Sequence, residues 1–167
     1  IFFPKDETKS VKVIGSNTII FNGQTSYNFT YEYEFPHTWV LGHIYYKKSG
    51  NDIVIERMDV VPLRASLEEI NAFTLRGKAP LQIGFLVLAA LLAIFTLGTA
   101  VVALQTPIPK RKWLWVVFTL LGFVQVSLNW TTGEVNYAFV SFVLFAAGFA
   151  QQFYGPAFLQ IALPIGA

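Results

Sequence analysis

"PLQIGFLVLAALLAIFTLGTAVVAL", Pro80 to Leu104, contains no charged residue. At about 1.5 Å per residue, some 25 residues of helix extend roughly 37 Å, enough to cross a hydrocarbon core about 30 Å thick with some tilt. A second uncharged run follows at once. Trp113 to Trp130, "WLWVVFTLLGFVQVSLNW", would form a helix of roughly 27 Å, near the lower limit for a span. Trp113, Trp115 and Trp130 stand at its two ends, as interfacial tryptophans do. Two such runs with so short a link cannot both be enclosed as core helices by the remaining residues. The sequence therefore predicts a transmembrane helical hairpin over 80–105 and 113–130, joined by a basic turn, 106–112.

The third apolar stretch, 137–167, has two readings. Tyr137 to Ala150 is about 14 residues, a length at which a re-entrant or interfacial segment competes with a span. Gln151, Gln152, Gly155 and Pro156 then interrupt it. Either 137–154 is a short third span with an interfacial tail, or Pro156 opens a further span after a surface segment. A loop, 131–136, precedes it. The opening on Ile1 is compatible with a removed signal peptide or anchor helix, and the end at Ala167 inside an apolar run with a longer chain.

Charge is distributed to match. The chain is 54% hydrophobic and only 13% charged, against about 25% charged in a soluble domain. Nine of the 10 acids and nine of the 12 Lys/Arg fall in residues 1–78, leaving Lys110, Arg111, Lys112 and Glu134 beyond. Lys110, Arg111 and Lys112 sit in the short link between apolar runs, where the positive-inside rule places them in the cytoplasm. Residues 1–78 are then expected in the periplasm of a bacterial inner membrane protein. The net charge of +2 argues against nucleic acid as a partner.

Residues 1–65 read as a β-rich extracytoplasmic domain. "TSYNFTYEYEF", Thr25 to Phe35, alternates strictly, with Tyr27, Phe29, Tyr31, Tyr33 and Phe35 on one side and Asn28, Thr30, Glu32 and Glu34 on the other. Period two with aromatic and β-branched residues predicts a half-buried strand. Asn22-Gly23 and Ser49-Gly50-Asn51-Asp52 read as turns on either side of further strands. The result is an antiparallel meander with one apolar face, bearing Tyr27, Phe29, Tyr31 and Tyr33, which together with Trp39 are the candidate partner contacts. Glu32 and Glu34 are expected to be solvated. Residues 66–79 then form an amphipathic elbow: Ser66 and Glu69 make a capping box, with Leu67, Ile70 and Phe73 as the apolar stripe.

Chemistry is sparse. His37 and His43 are the only histidines, and on one strand they would lie roughly 20 Å apart, too far to share a metal ion without a sharp bend. The apolar runs hold no ionisable side chain of the kind that marks proton relays and ion pathways. Gln125 and Asn129, four apart, share a helix face and suit helix–helix hydrogen bonding. Asn28-Phe-Thr and Asn129-Trp-Thr match the glycosylation triplet, which is common by chance. No catalytic set, phosphate loop or cofactor motif is recognisable.

These readings give an α+β membrane protein: a small antiparallel extracytoplasmic domain, a transmembrane helical hairpin and a third, broken or truncated hydrophobic segment. The expected function is that of a non-catalytic accessory or scaffold subunit of a larger integral membrane complex, in contact with lipid and other subunits. The alternative is a binding or sensory protein holding a lipid, pigment, quinone or peptide on its aromatic face. A His-based metal protein ranks third.

Overall fold

The computed structural model describes residues 4–21, 24–49, 52–107 and 110–167. The expected turns at Asn22-Gly23 and Gly50-Asn51, and Pro109 of the basic link, lie outside the described residues. The chain divides into two compact units, Ile1–Ile70 and Asn71–Ala167, in an α+β fold with two antiparallel sheets.

The first unit is a meander in the order β1-β2-β3-β4, with β1 Ser10–Phe21, β2 Gln24–Glu34, β3 Trp39–Ser49 and β4 Asp52–Leu63. Alternation along β2 separates the faces as expected. Tyr27 pairs with Tyr46, Phe29 with Ile44 and Tyr31 with Gly42 on one face; Thr30 pairs with His43 and Glu32 with Leu41 on the other. Gly42 has a steric reason to lack a side chain, since a Cβ there would lie 3.1 Å from the Tyr33 ring. The expected elbow helix is a single turn, α1, Leu67–Ile70. The Ser66 hydroxyl accepts from the Glu69 amide at 3.2 Å, which is one of the two bonds of the expected capping box.

In the second unit, α2 spans Pro80–Gln105 as one uninterrupted helix of 26 residues. It is long and apolar enough to cross a membrane, with mean hydropathy 2.6 over an 18-residue stretch. Pro80 occupies the first turn, where its missing amide costs no helical bond. The Gln82 side chain accepts from the Ala79 amide at 2.8 Å and so closes the helix start.

Beyond α2 the architecture departs from the expected hairpin. Residues 113–130 do not form a second spanning helix. Helix α3, Lys112–Leu120, stops after 9 residues, and Leu121–Asn129 continues as strand β5. The third hydrophobic segment, expected as a span or an interfacial helix, forms strands β6 Val135–Leu144, β7 Ala147–Gln151 and β8 Ala157–Leu163. They assemble in the order β6-β5-β8-β7. An apolar run without charged punctuation has no period to separate helix from buried strand, so pairing decides. β5 is hydrogen-bonded on both sides, to β6 and β8. Its sequence permits this at Gly122: a Cβ there would stand 2.7 Å from that of Ala162 and 2.9 Å from the Ala146 Cα. The core gathers Phe85 of α2 with Leu128, Trp130, Ala157 and Leu159.

Candidate functional site

In the first unit the candidate contact residues form a ladder of rings. Tyr27 stacks on Tyr46 with centroids 4.8 Å apart, Phe29 on Tyr46 at 5.8 Å and Phe29 on Tyr31 at 6.1 Å, while Tyr31 and Tyr33 are tilted at 6.2 Å. The cause is register, because aromatic residues alternate along β2 and meet Ile44 and Tyr46 across the pair. Burial, and secondarily Tyr31, raise the Tyr33 hydroxyl above the usual tyrosine range. Trp39 does not join this row. It pairs with Glu34 and Leu63, on the opposite face.

That opposite face holds what the sequence left as solvated carboxylates. Glu32 is only 1% exposed, and its Oε2 accepts from the Leu67 amide at 2.7 Å. The carboxylate thus receives an otherwise unpaired donor at the start of α1. Glu34 accepts from the Ser10 hydroxyl at 2.8 Å. The signal for this was faint: glutamate on the non-aromatic face, two positions apart, looks like any solvated strand. His43 is on the same face, its Nδ1 3.0 Å from the Thr30 hydroxyl, whereas His37 lies exposed in the β2–β3 turn. Among the described residues, no three His, Cys, Asp or Glu side chains converge as metal ligands.

In the second unit Trp130 is completely buried, in contrast to the interfacial anchor expected of it. Its indole Nε1 donates to the Thr74 carbonyl at 2.9 Å, and its ring stacks on Phe73 at 4.7 Å. Its own carbonyl accepts from Lys78 Nζ at 2.8 Å and Gln82 Nε2 at 2.7 Å. One residue therefore ties the 71–79 linker, the start of α2 and the end of β5 together. Beside it, Asn71 donates to the Tyr154 carbonyl at 2.8 Å and accepts from the Thr131 hydroxyl at 3.0 Å.

Gln125 and Asn129 lie on a strand, and each has a local partner. The Gln125 amide oxygen accepts from the Ser141 hydroxyl at 2.6 Å. Asn129 is 8% exposed, and its Oδ1 accepts from the Thr131 and Thr132 amides at 2.9 and 3.1 Å. Within α2, the buried Thr96 hydroxyl sits 2.9 Å from the Phe145 carbonyl and 3.0 Å from those of Leu92 and Ala93. Its single proton serves the helix and the sheet connection.

The outer surface of this unit is strongly apolar. Phe139 is 82%, Val140 91% and Phe153 94% exposed, and Leu91 and Ile94 project from α2 at 58% and 67%. Lys110, Arg111 and Lys112 lie at the start of α3; the Lys112 ammonium donates to the Leu104 carbonyl at the end of α2. Trp113 and Trp115 are exposed on α3. No family profile, curated protein or solved structure matches the chain.

Proposed function

We propose that this protein is a non-catalytic accessory subunit of an integral membrane complex, held in the bilayer by α2 and making its subunit contacts through exposed apolar surface. The carrying observation is strand β6, an uncharged edge strand from which Phe139 and Val140 project. Soluble monomers rarely leave such apolar area open, and an edge row of backbone donors and acceptors is a template for another strand. In apolar surroundings those groups need partners still more, because no water competes for them. The basic residues after α2 support a cytoplasmic position for Lys110, Arg111 and Lys112, with the β1–β4 unit in the periplasm of a bacterial inner membrane.

Extraction in mild detergent followed by native mass measurement tests the subunit role. The expected result is the chain within a larger assembly; a stable, monodisperse monomer free of other proteins overturns it. The anchor is tested separately by alkaline carbonate extraction, after which the intact chain is expected in the membrane pellet.

A second reading has one observation in its favour. Within the first unit α1 bonds to the Glu32 face, and the stacked row Tyr27–Tyr46–Phe29 lies on the other. A flat ring of a quinone or pigment, or an apolar peptide, would stack there. Fluorescence quenching by a water-soluble quinone that is lost on Tyr46→Ala would favour this function over pure scaffolding.

A further inference from the structure

We propose that the cleft beside the start of α3 binds an anionic phospholipid, with Lys110 and Arg111 on the headgroup phosphate and Leu114, Trp115 and Phe118 along an acyl chain. This rests on the reading of α2 as a membrane anchor and names the lipid class that the basic end would recognise. The cleft is shallow and open, has a volume of about 540 Å³ and is lined by these five residues. Leu114, Trp115 and Phe118 share one face of α3 by their spacing of one, three and four residues, and Arg111, the residue that caps the helix start, lies at the head of that face. One groove therefore carries charge at its head and apolar wall along two turns.

Charge complementarity selects the occupant. Beyond Lys78 the chain has three cations and a single acid, Glu134, whose carboxylate already accepts from the Thr132 hydroxyl at 3.3 Å. The Lys112 ammonium is directed to the Leu104 carbonyl. Among the described residues, the Lys110 ammonium and the Arg111 guanidinium enter no hydrogen bond or ion pair, and Arg111 bonds only through its carbonyl, which accepts from the Leu114 amide at 2.9 Å. A free phosphate would answer the cations and leave the apolar wall in water, with Trp115 55%, Leu114 39% and Phe118 38% exposed. A zwitterionic lipid would cover the wall, but the ammonium of its own headgroup offsets the phosphate charge that the cations would meet. Only a group that is anionic at one end and aliphatic along the rest matches both. Arginine and lysine near a membrane surface each favour anionic lipid, and guanidinium suits phosphate through its paired donors.

The full chain in neutral detergent, followed by native mass measurement, tests the site with three probes: phosphatidylglycerol, phosphatidylcholine of the same acyl chains, and glycerol phosphate. Phosphatidylglycerol is expected to remain bound at concentrations on the order of tenfold below phosphatidylcholine, with glycerol phosphate not retained. The double variant K110Q/R111Q should bring the two lipids level, while K110R/R111K keeps the preference. Trp115→Ser with Phe118→Ser should weaken both lipids. For the unaltered chain, raising ionic strength from about 0.1 M to about 1 M should shrink the preference, a readout independent of any variant's folding. Equal retention of the two lipids by the unaltered chain overturns the proposal, as does a preference untouched by K110Q/R111Q. Retention of glycerol phosphate matching that of the lipid points to a phosphate site and also overturns it. Carbonate extraction keeps the two ideas apart: a pelleted chain without headgroup preference sinks the lipid site alone, and a released chain sinks the anchor.

Discussion

Val124 is a β-branched residue at φ 59°, in the left-handed region where such side chains are strained. It occupies the irregularity in β5, where the register to both β6 and β8 shifts between Phe123 and Gln125. Comparing two truncations isolates the backbone contribution. Val124→Ala and Val124→Gly both remove the methyl groups, but only glycine relieves the left-handed conformation. The glycine variant should be more stable by about 1 kcal/mol, read by chemical denaturation in detergent. Glu32 gives a second contrast: Glu32→Ala leaves the Leu67 amide without its acceptor and should cost about 1–3 kcal/mol. Glu32→Gln keeps an oxygen in place, so the Leu67 amide should exchange with solvent faster in the alanine variant. Tyr33 carries a pH dependence. Its hydroxyl is raised above the usual value by burial and then by Tyr31, so on a rise in pH the unfolded chain ionises first. The stability it contributes is complete below about pH 10 and is lost as pH climbs through the folded value; Tyr33→Phe should remove that part of the alkaline loss.

Among the elements, β2 was the most legible, because strict alternation admits one assignment and the register follows from it. The segment 113–130 was the least legible. Its first half is helix and its second half strand, yet both halves are apolar and uncharged. The difference lies in what they meet: β5 has strands on both sides, while α3 has none. The tryptophans at its two ends looked equivalent for the same reason and diverge in three dimensions. Trp130 is enclosed, whereas Trp113 is 66% exposed. Lipids brominated along their chains should therefore quench Trp113 and Trp115 and spare Trp130, and W113F/W115F should abolish the quenchable fraction. Trp130→Ala should destabilise the second unit by about 3–5 kcal/mol, since ring packing, the Thr74 bond and closure at Phe73 are lost together; thermal unfolding in detergent measures it.

At the scale of the whole molecule, the membrane attachment we propose rests on the exposed side of α2. Leu91 and Ile94 point away from the core, so Leu91→Lys with Ile94→Lys should leave internal packing intact. Each lysine near the helix centre costs about 2.5–3.5 kcal/mol of insertion free energy, and the double variant should move from the membrane pellet to the carbonate supernatant while the parent stays. The sequence by itself determined the composition step after Lys78, the long apolar helix at Pro80–Gln105 and the alternating meander before it. Each of these is a one-dimensional pattern of period or charge, and its meaning does not depend on distant residues. The tertiary structure alone decided that residues 121–163 pair as a sheet, that Glu32 is buried and that Trp130 is a core residue. Those outcomes depend on which strand lies beside which, and a run of uniformly apolar side chains carries no record of its neighbours.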